Sequence, residues 1–188
     1  MNSQEIQQAE QIWNSLKIPI MIIAALAPFV IAFLVFRYNR IIKGLKEKQE
    51  KNQKLVEKRM EVYDRMGPKL NDIFCFYCYN GNWKELTPPE ILNFKRELDK
   101  DINVSTPLYS KDIGEKYNDF MRLCFVSFSG WEHEEKIKSL YELRKEHNAE
   151  WNDDWIPFFD TNNVVEAVKV KERYDELIES FKKDLNSQ

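Results

Sequence analysis

The chain has 188 residues, of which 31% are charged and 13% aromatic. Its formal net charge of −3 hides an asymmetry: residues 37–54 carry seven lysines and arginines against Glu47 and Glu50, while residues 55–188 are left with −7. An acidic domain argues against non-specific binding of DNA or other nucleic acid, because phosphate repels it. Cys75, Cys78 and Cys124 are an odd number set among aromatic residues, which reads as reduced thiols in a cytosolic core and not as a disulfide framework.

Residues 1–17 read as a short extracytoplasmic tail in the form of an amphipathic helix capped by Ser3. Ile6, Ile12, Trp13 and Leu16 lie on one side, and Gln4, Gln8 and Gln11 on the other. In a ring of protomers the glutamine side would line a polar mouth.

Residues 18–36, Ile18 to Phe36, hold no charge and no hydroxyl. At 1.5 Å per residue such a run spans about 28 Å, close to the hydrocarbon thickness of a bilayer. A cleaved signal peptide would need a basic start and a small-residue cleavage site; here the preceding segment is acidic and glutamine-rich, so an uncleaved transmembrane helix is expected. Arg37, Arg40 and Lys43 open a basic flank on the C-terminal side, whereas only Lys17 flanks the other, which places the N-terminus outside and residues 37–188 in the cytoplasm. Trp13 and Tyr38 fall where interfacial aromatics belong. Ala24, Pro28 and Ala32 recur at four-residue spacing with Ala25 beside them, a stripe that lets spans pack closely and predicts self-association. Pro28 is expected to kink the span.

Residues 37–67 read as a basic helical stalk. Tyr38, Ile42, Leu45, Val56, Tyr63 and Met66 fit a 3.5-residue repeat, interrupted by Gln49, Asn52 and Arg59, so any coiled coil is weak. Gly67-Pro68 is expected to break or bend the helix.

Residues 68–188 read as a cytosolic domain of four or five helices. Leu70, Ile73, Phe74 and Tyr77 have helical spacing up to a stop at Asn80-Gly81. Thr87-Pro88-Pro89-Glu90 is a capping-box start. Ser110 precedes a helix carrying Ile113, Tyr117, Phe120 and Cys124. After a loop at Ser129-Gly130, Glu132–His147 reads as one charged helix burying Ile137, Leu140, Tyr141 and Leu143. Trp151–Phe159 is aromatic and irregular. Asn163 with Glu166 is expected to cap a last helix whose apolar side includes Val164, Val168, Leu177 and Phe181. No strand-like alternation is evident.

Chemistry-bearing patterns are few. Cys75-Phe76-Tyr77-Cys78 is a CxxC without further ligands, which predicts core packing and no metal or cofactor. There is no glycine-rich phosphate loop, GxSxG or HExxH. Arg144 and His147, three apart on a helix, are the candidate catalytic pair: arginine holding a phosphate, histidine moving a proton on a ribose hydroxyl.

A single N-terminal span, a basic stalk, a helical cytosolic domain and the Arg144/His147 pair together resemble the membrane accessory proteins of type VI-B CRISPR systems. The resemblance covers the layout of the whole chain. It implies an all-α fold with a HEPN-like helical bundle, residence in a bacterial inner membrane, and a functional link to an RNA-guided RNase. It also implies self-assembly into a ring-shaped homo-oligomeric pore that depolarises the cell. HEPN nucleases place four to six residues between arginine and histidine, whereas Arg144 and His147 have two between them, so the expectation is a non-enzymatic role. A membrane-tethered ribonuclease and a membrane-anchored adaptor for a cytosolic partner are the alternatives.

Overall fold

The structure is a computed structural model that describes residues 3–126 and 135–186, with the side chains of residues 12–17, 19, 21, 22 and 25 onward. The chain divides into two compact units, residues 1–52 and 53–188.

A single helix, α1 (Ser3–Cys78), runs through the first unit and into the second. Within it lies one stretch long and apolar enough to cross a membrane, with mean hydropathy 1.5 over 18 residues and none of that window buried. Leu26, Phe29, Phe33 and Phe36 are all exposed, Phe29 by 73%. Helix formation needs no outside help here, since backbone bonds close within the segment. Among the described residues, however, no partner removes these exposed side chains from water.

The second unit is mainly helical. Its elements after α1 are α2 (Pro88–Ser105), α3 (Lys111–Cys124), a two-stranded pair β1 (Phe125–Val126) and β2 (Lys136–Ile137), α4 (Glu142–His147) and α5 (Ala167–Asn186). Short 3-10 turns at Thr106–Leu108 and Asp153–Phe158 join them.

The expected break at Gly67-Pro68 does not occur: α1 continues to Cys78. A proline inside a helix removes one hydrogen bond and costs about 3 kcal/mol. Burial offsets this, because Met66, Leu70, Ile73 and Phe76, on either side of the break point, are fully enclosed in the core. Gly67 contributes by having no side chain, since a Cβ there would already touch the Tyr63 ring at 3.4 Å. Burial of Val62 and Met66 also draws residues assigned to the stalk into the folded unit.

At its end α1 turns in a Schellman motif. Asn80 N–H donates to Cys75 O at 3.3 Å, with Tyr79 at φ 53°. A tyrosine in the left-handed region is unusual, as this position favours glycine. Gly81 follows at φ 57°, where a Cβ would lie 3.0 Å from Cys75 Sγ.

α2 starts as its sequence dictates, with Glu90 Oε2 accepting from both Thr87 N (2.8 Å) and Thr87 Oγ1 (2.7 Å). α3 and α5 pack together and against the last turns of α1. Phe74 and Tyr174 stack at 4.4 Å, Phe120 meets Tyr174 at 6.0 Å, and Phe181 contacts Tyr63 and Tyr109. Polar ties close the same end: Arg59 Nη1 donates to Asp184 O, Arg59 Nε to Leu108 O, and the Asp184 carboxylate accepts from Ser110 N at 2.6 Å.

Three expectations are corrected. The anticipated Glu132–His147 helix is instead strand β2, a turn and the six-residue α4; Ser129-Gly130 and residues 132–134 lie outside the described residues. Ile137 is buried, as expected, but in a ladder with Phe125 and a bridge to Phe159. Leu140 and Leu143, expected in the core, are exposed. At the start of α5, Asn163 bonds Asp160 instead of capping, while Glu166 O receives Lys169 N and Val170 N, and Val164 and Val168 are exposed.

Candidate functional site

The residues expected to act in the membrane fall in the first unit. Ala25, Pro28 and Ala32 are exposed on α1, as are Trp13, Arg37, Tyr38, Arg40 and Lys43. The helix runs through Pro28 without interruption. The side chains of Ala24, Gln4, Gln8 and Gln11 lie outside the described residues. Ala25, Pro28 and Ala32 thus sit on a helix face that nothing among the described residues covers.

The Arg144/His147 pair is not arranged as the ribonuclease reading requires. His147 is exposed, its Nδ1 2.9 Å from Leu143 O and its ring 5.7 Å from Trp83. Arg144 is 2% exposed and points into the core. Its guanidinium lies between two rings, 3.9 Å from the Phe76 centroid and 4.6 Å from that of Tyr79. Nη2 donates to Phe76 O at 2.5 Å; Nη1 donates to Tyr79 Oη, Ser139 Oγ and Leu140 O. Nε has no acceptor among the described residues. Burial lowers the Arg144 pKa from the usual arginine value, and the neighbouring tyrosines oppose that shift.

No carboxylate is among the groups that bond this buried cation. Its counterpart is the C-terminal end of α1, whose last carbonyls carry the negative end of the helix dipole, about half an elementary charge. The last turn of α1 holds no basic residue of its own. Arg144 from α4 therefore supplies the cation that caps it, and the hydroxyl and ring of Tyr79, the left-handed residue of the turn, join the same contacts. Spacing alone cannot place such a residue. The available signal was an arginine among aromatic segments, Phe76–Tyr79 and Trp151–Phe159, where guanidinium stacking is favourable.

The three cysteines sit together at the base of this region. Burial raises the thiol pKa of Cys75, further helped by Asp72; burial also raises Cys78 and, most strongly, Cys124. All three are free thiols, protonated at neutral pH and poorly nucleophilic. Among the described residues no group of three or more His, Cys, Asp or Glu is placed to hold a metal ion.

A cleft opens between α2 and α3. Its wider part has a volume of about 340 Å³, and an adjoining part of about 280 Å³ shares Ile102, Asn103, Tyr117 and Asn118 with it. Its floor is a polar network. Lys95 Nζ donates to Glu135 Oε1 (2.5 Å) and Asp99 Oδ2 (2.9 Å), and Tyr117 Oη donates to Asp99 Oδ1 (2.6 Å). Burial pulls the Lys95 pKa down, but the bonds to Glu135 and Asp99 outweigh it and leave it raised. Burial, then Asp99, pushes Tyr117 up. Lysine and tyrosine thus keep their protons, which makes the network a clamp between α2, α3 and the segment before β2. No sequence signal marks this network, because Lys95, Asp99, Tyr117 and Glu135 each fit an ordinary amphipathic pattern.

No protein family, curated protein or solved structure matches the chain.

Proposed function

We propose that the protein is a single-pass membrane protein whose copies assemble through the N-terminal helix into a pore that depolarises the bacterial inner membrane. In this reading it is an accessory of CRISPR-associated antiviral defence, acting in support of an RNA-guided RNase. The folded unit is a HEPN-like cytoplasmic bundle that organises the assembly. One observation carries the reading: the stretch from Ala25 to Phe36 is apolar on every side and uncovered. A soluble helix hides one stripe, whereas a lipid-facing helix is apolar all round. One helix per chain cannot enclose a channel, so conduction requires a ring of copies. Ala25, Pro28 and Ala32 are small or ring-closed residues on the uncovered helix, which suits close approach between spans.

The test is a potential-sensitive dye in cells expressing the full chain with a triggered RNA-guided RNase. Loss of potential that disappears with Ala32→Phe supports the reading. An unchanged potential in cells that contain the membrane-inserted protein overturns it. The Arg144 environment weighs against the ribonuclease alternative, since a phosphate cannot reach a guanidinium enclosed by Phe76 and Tyr79.

A further inference from the structure

We infer that Arg37, Arg40 and Lys43 form a headgroup site that selects anionic phospholipid around the span; this rests on the membrane reading above. At 100° per residue the three fall within one 120° arc of α1, on the side away from Tyr38, Ile42 and Leu45. All three are exposed, and none takes part in an ion pair or side-chain hydrogen bond among the described residues. Lys43 has Glu47 four residues further on, yet the two do not pair. Lysine preceding glutamate at this spacing is the weaker order, because it opposes the helix dipole. Arg37 and Arg40 have no carboxylate three or four residues away on the helix, so none of the three cations is neutralised among the described residues.

Distance selects these three from the seven basic residues of 37–54. From Phe36, the last residue of the apolar run, the helix rises 1.5 Å per residue. Arg37, Arg40 and Lys43 therefore lie within about 11 Å of the hydrocarbon edge, and their long stems reach back towards it. That lies inside the headgroup layer, roughly 5–8 Å deep, plus one screening length of about 8 Å at physiological salt, whereas Lys46, about 15 Å out, falls at the limit. Lys48, Lys51 and Lys54 lie about 18 Å or more beyond the edge, where the lipid surface charge is screened. Clusters of basic residues directly beside a span attract anionic lipid with about 1 kcal/mol per residue, close to a factor of five each. The ligand is a lipid phosphate carrying net negative charge. A zwitterionic headgroup offers the same phosphate with its charge already balanced.

The experiment reconstitutes the full chain in phosphatidylcholine vesicles containing 20% phosphatidylglycerol. Spin-labelled versions of each lipid then report the fraction held at the protein surface. The expected result is selection of phosphatidylglycerol over phosphatidylcholine by at least about fivefold, the factor for one residue, weakened in 1 M salt. Replacing Arg37, Arg40 and Lys43 together by glutamine removes the selection, while replacing Lys48, Lys51 and Lys54 retains it. The two variants lose equal charge, so equal behaviour of the pair overturns the site. Equal retention of both lipids by the unaltered chain overturns it as well, and so does loss of selection on adding millimolar inorganic phosphate. A chain that restrains neither lipid has not inserted, and that result contradicts the membrane reading itself.

Discussion

Arg144 Nη2 donates to Phe76 O at 2.5 Å, and so the charged end of α4 caps the C-terminus of the longest helix in the protein. The bond ties residues 68 positions apart through a buried, aromatic-walled cation. Removing Arg144 strips a fully buried donor set from Phe76 O, Leu140 O, Ser139 and Tyr79 at once. Arg144→Ala is expected to destabilise the folded unit by about 3 kcal/mol, the cost of breaking a buried charged network. Arg144→Lys keeps the charge and loses the fork, and is expected to recover less than half of that. His147→Ala, which gives up one exposed ring contact with Trp83, is expected to change stability by less than about 1 kcal/mol. Thermal melts of the full chain followed by tryptophan fluorescence measure all three; equal effects at 144 and 147 would contradict this assignment.

Two glycines are predicted to respond in opposite directions. Gly114 lies inside α3, and a Cβ added there meets nothing within 4 Å. Gly114→Ala is expected to stabilise the protein by about 1 kcal/mol through helix propensity alone. Gly81 has φ 57° and would place a Cβ 3.0 Å from Cys75 Sγ. Gly81→Ala is expected to cost about 1–2 kcal/mol. The same melts read both, and a stabilising Gly81→Ala would show that the turn after α1 is formed differently.

High pH is expected to loosen the helical core. Burial pushes Tyr109 and Tyr174 up to about 12 from the ordinary tyrosine value of 10. In the unfolded chain these hydroxyls lose their protons near pH 10. The folded state therefore holds more protons between the two values. Stability is fully present below pH 10 and is lost as the pH rises from 10 through 12. A titration of tyrosinate absorbance should show these two groups ionising above the ordinary tyrosine value of about 10, together with unfolding. Tyr109→Phe should cost stability at neutral pH through the lost bond to Arg59 O while flattening the alkaline decline.

Much of the helical pattern was readable because local chemistry and burial agree. α2 begins at the Thr87–Glu90 box, and α3 follows Ser110 with Ile113, Tyr117, Phe120 and Cys124 all buried. The uncharged run from Ile18 to Phe36 announces itself through composition alone. Misreadings arose where tertiary contacts overrule local rules. Gly67-Pro68 is a strong break signal, overridden by the burial of Met66 and Leu70 on either side. The segment before α4 has helical spacing, yet Ile137 is taken up by Phe125 and Phe159 as a two-residue strand, too short to show alternation. Arg144 was expected to hold a phosphate beside His147, yet it is buried, and its partner is a helix end 68 residues away that spacing does not reveal.

Assembly through the N-terminal helix can be seen by imaging the full chain solubilised in mild detergent. One symmetric ring of several copies is expected, with its spans clustered at the axis, and a shift to smaller species in Ala25→Leu and Ala32→Phe. A strictly monomeric particle, unaltered by either substitution, would contradict it.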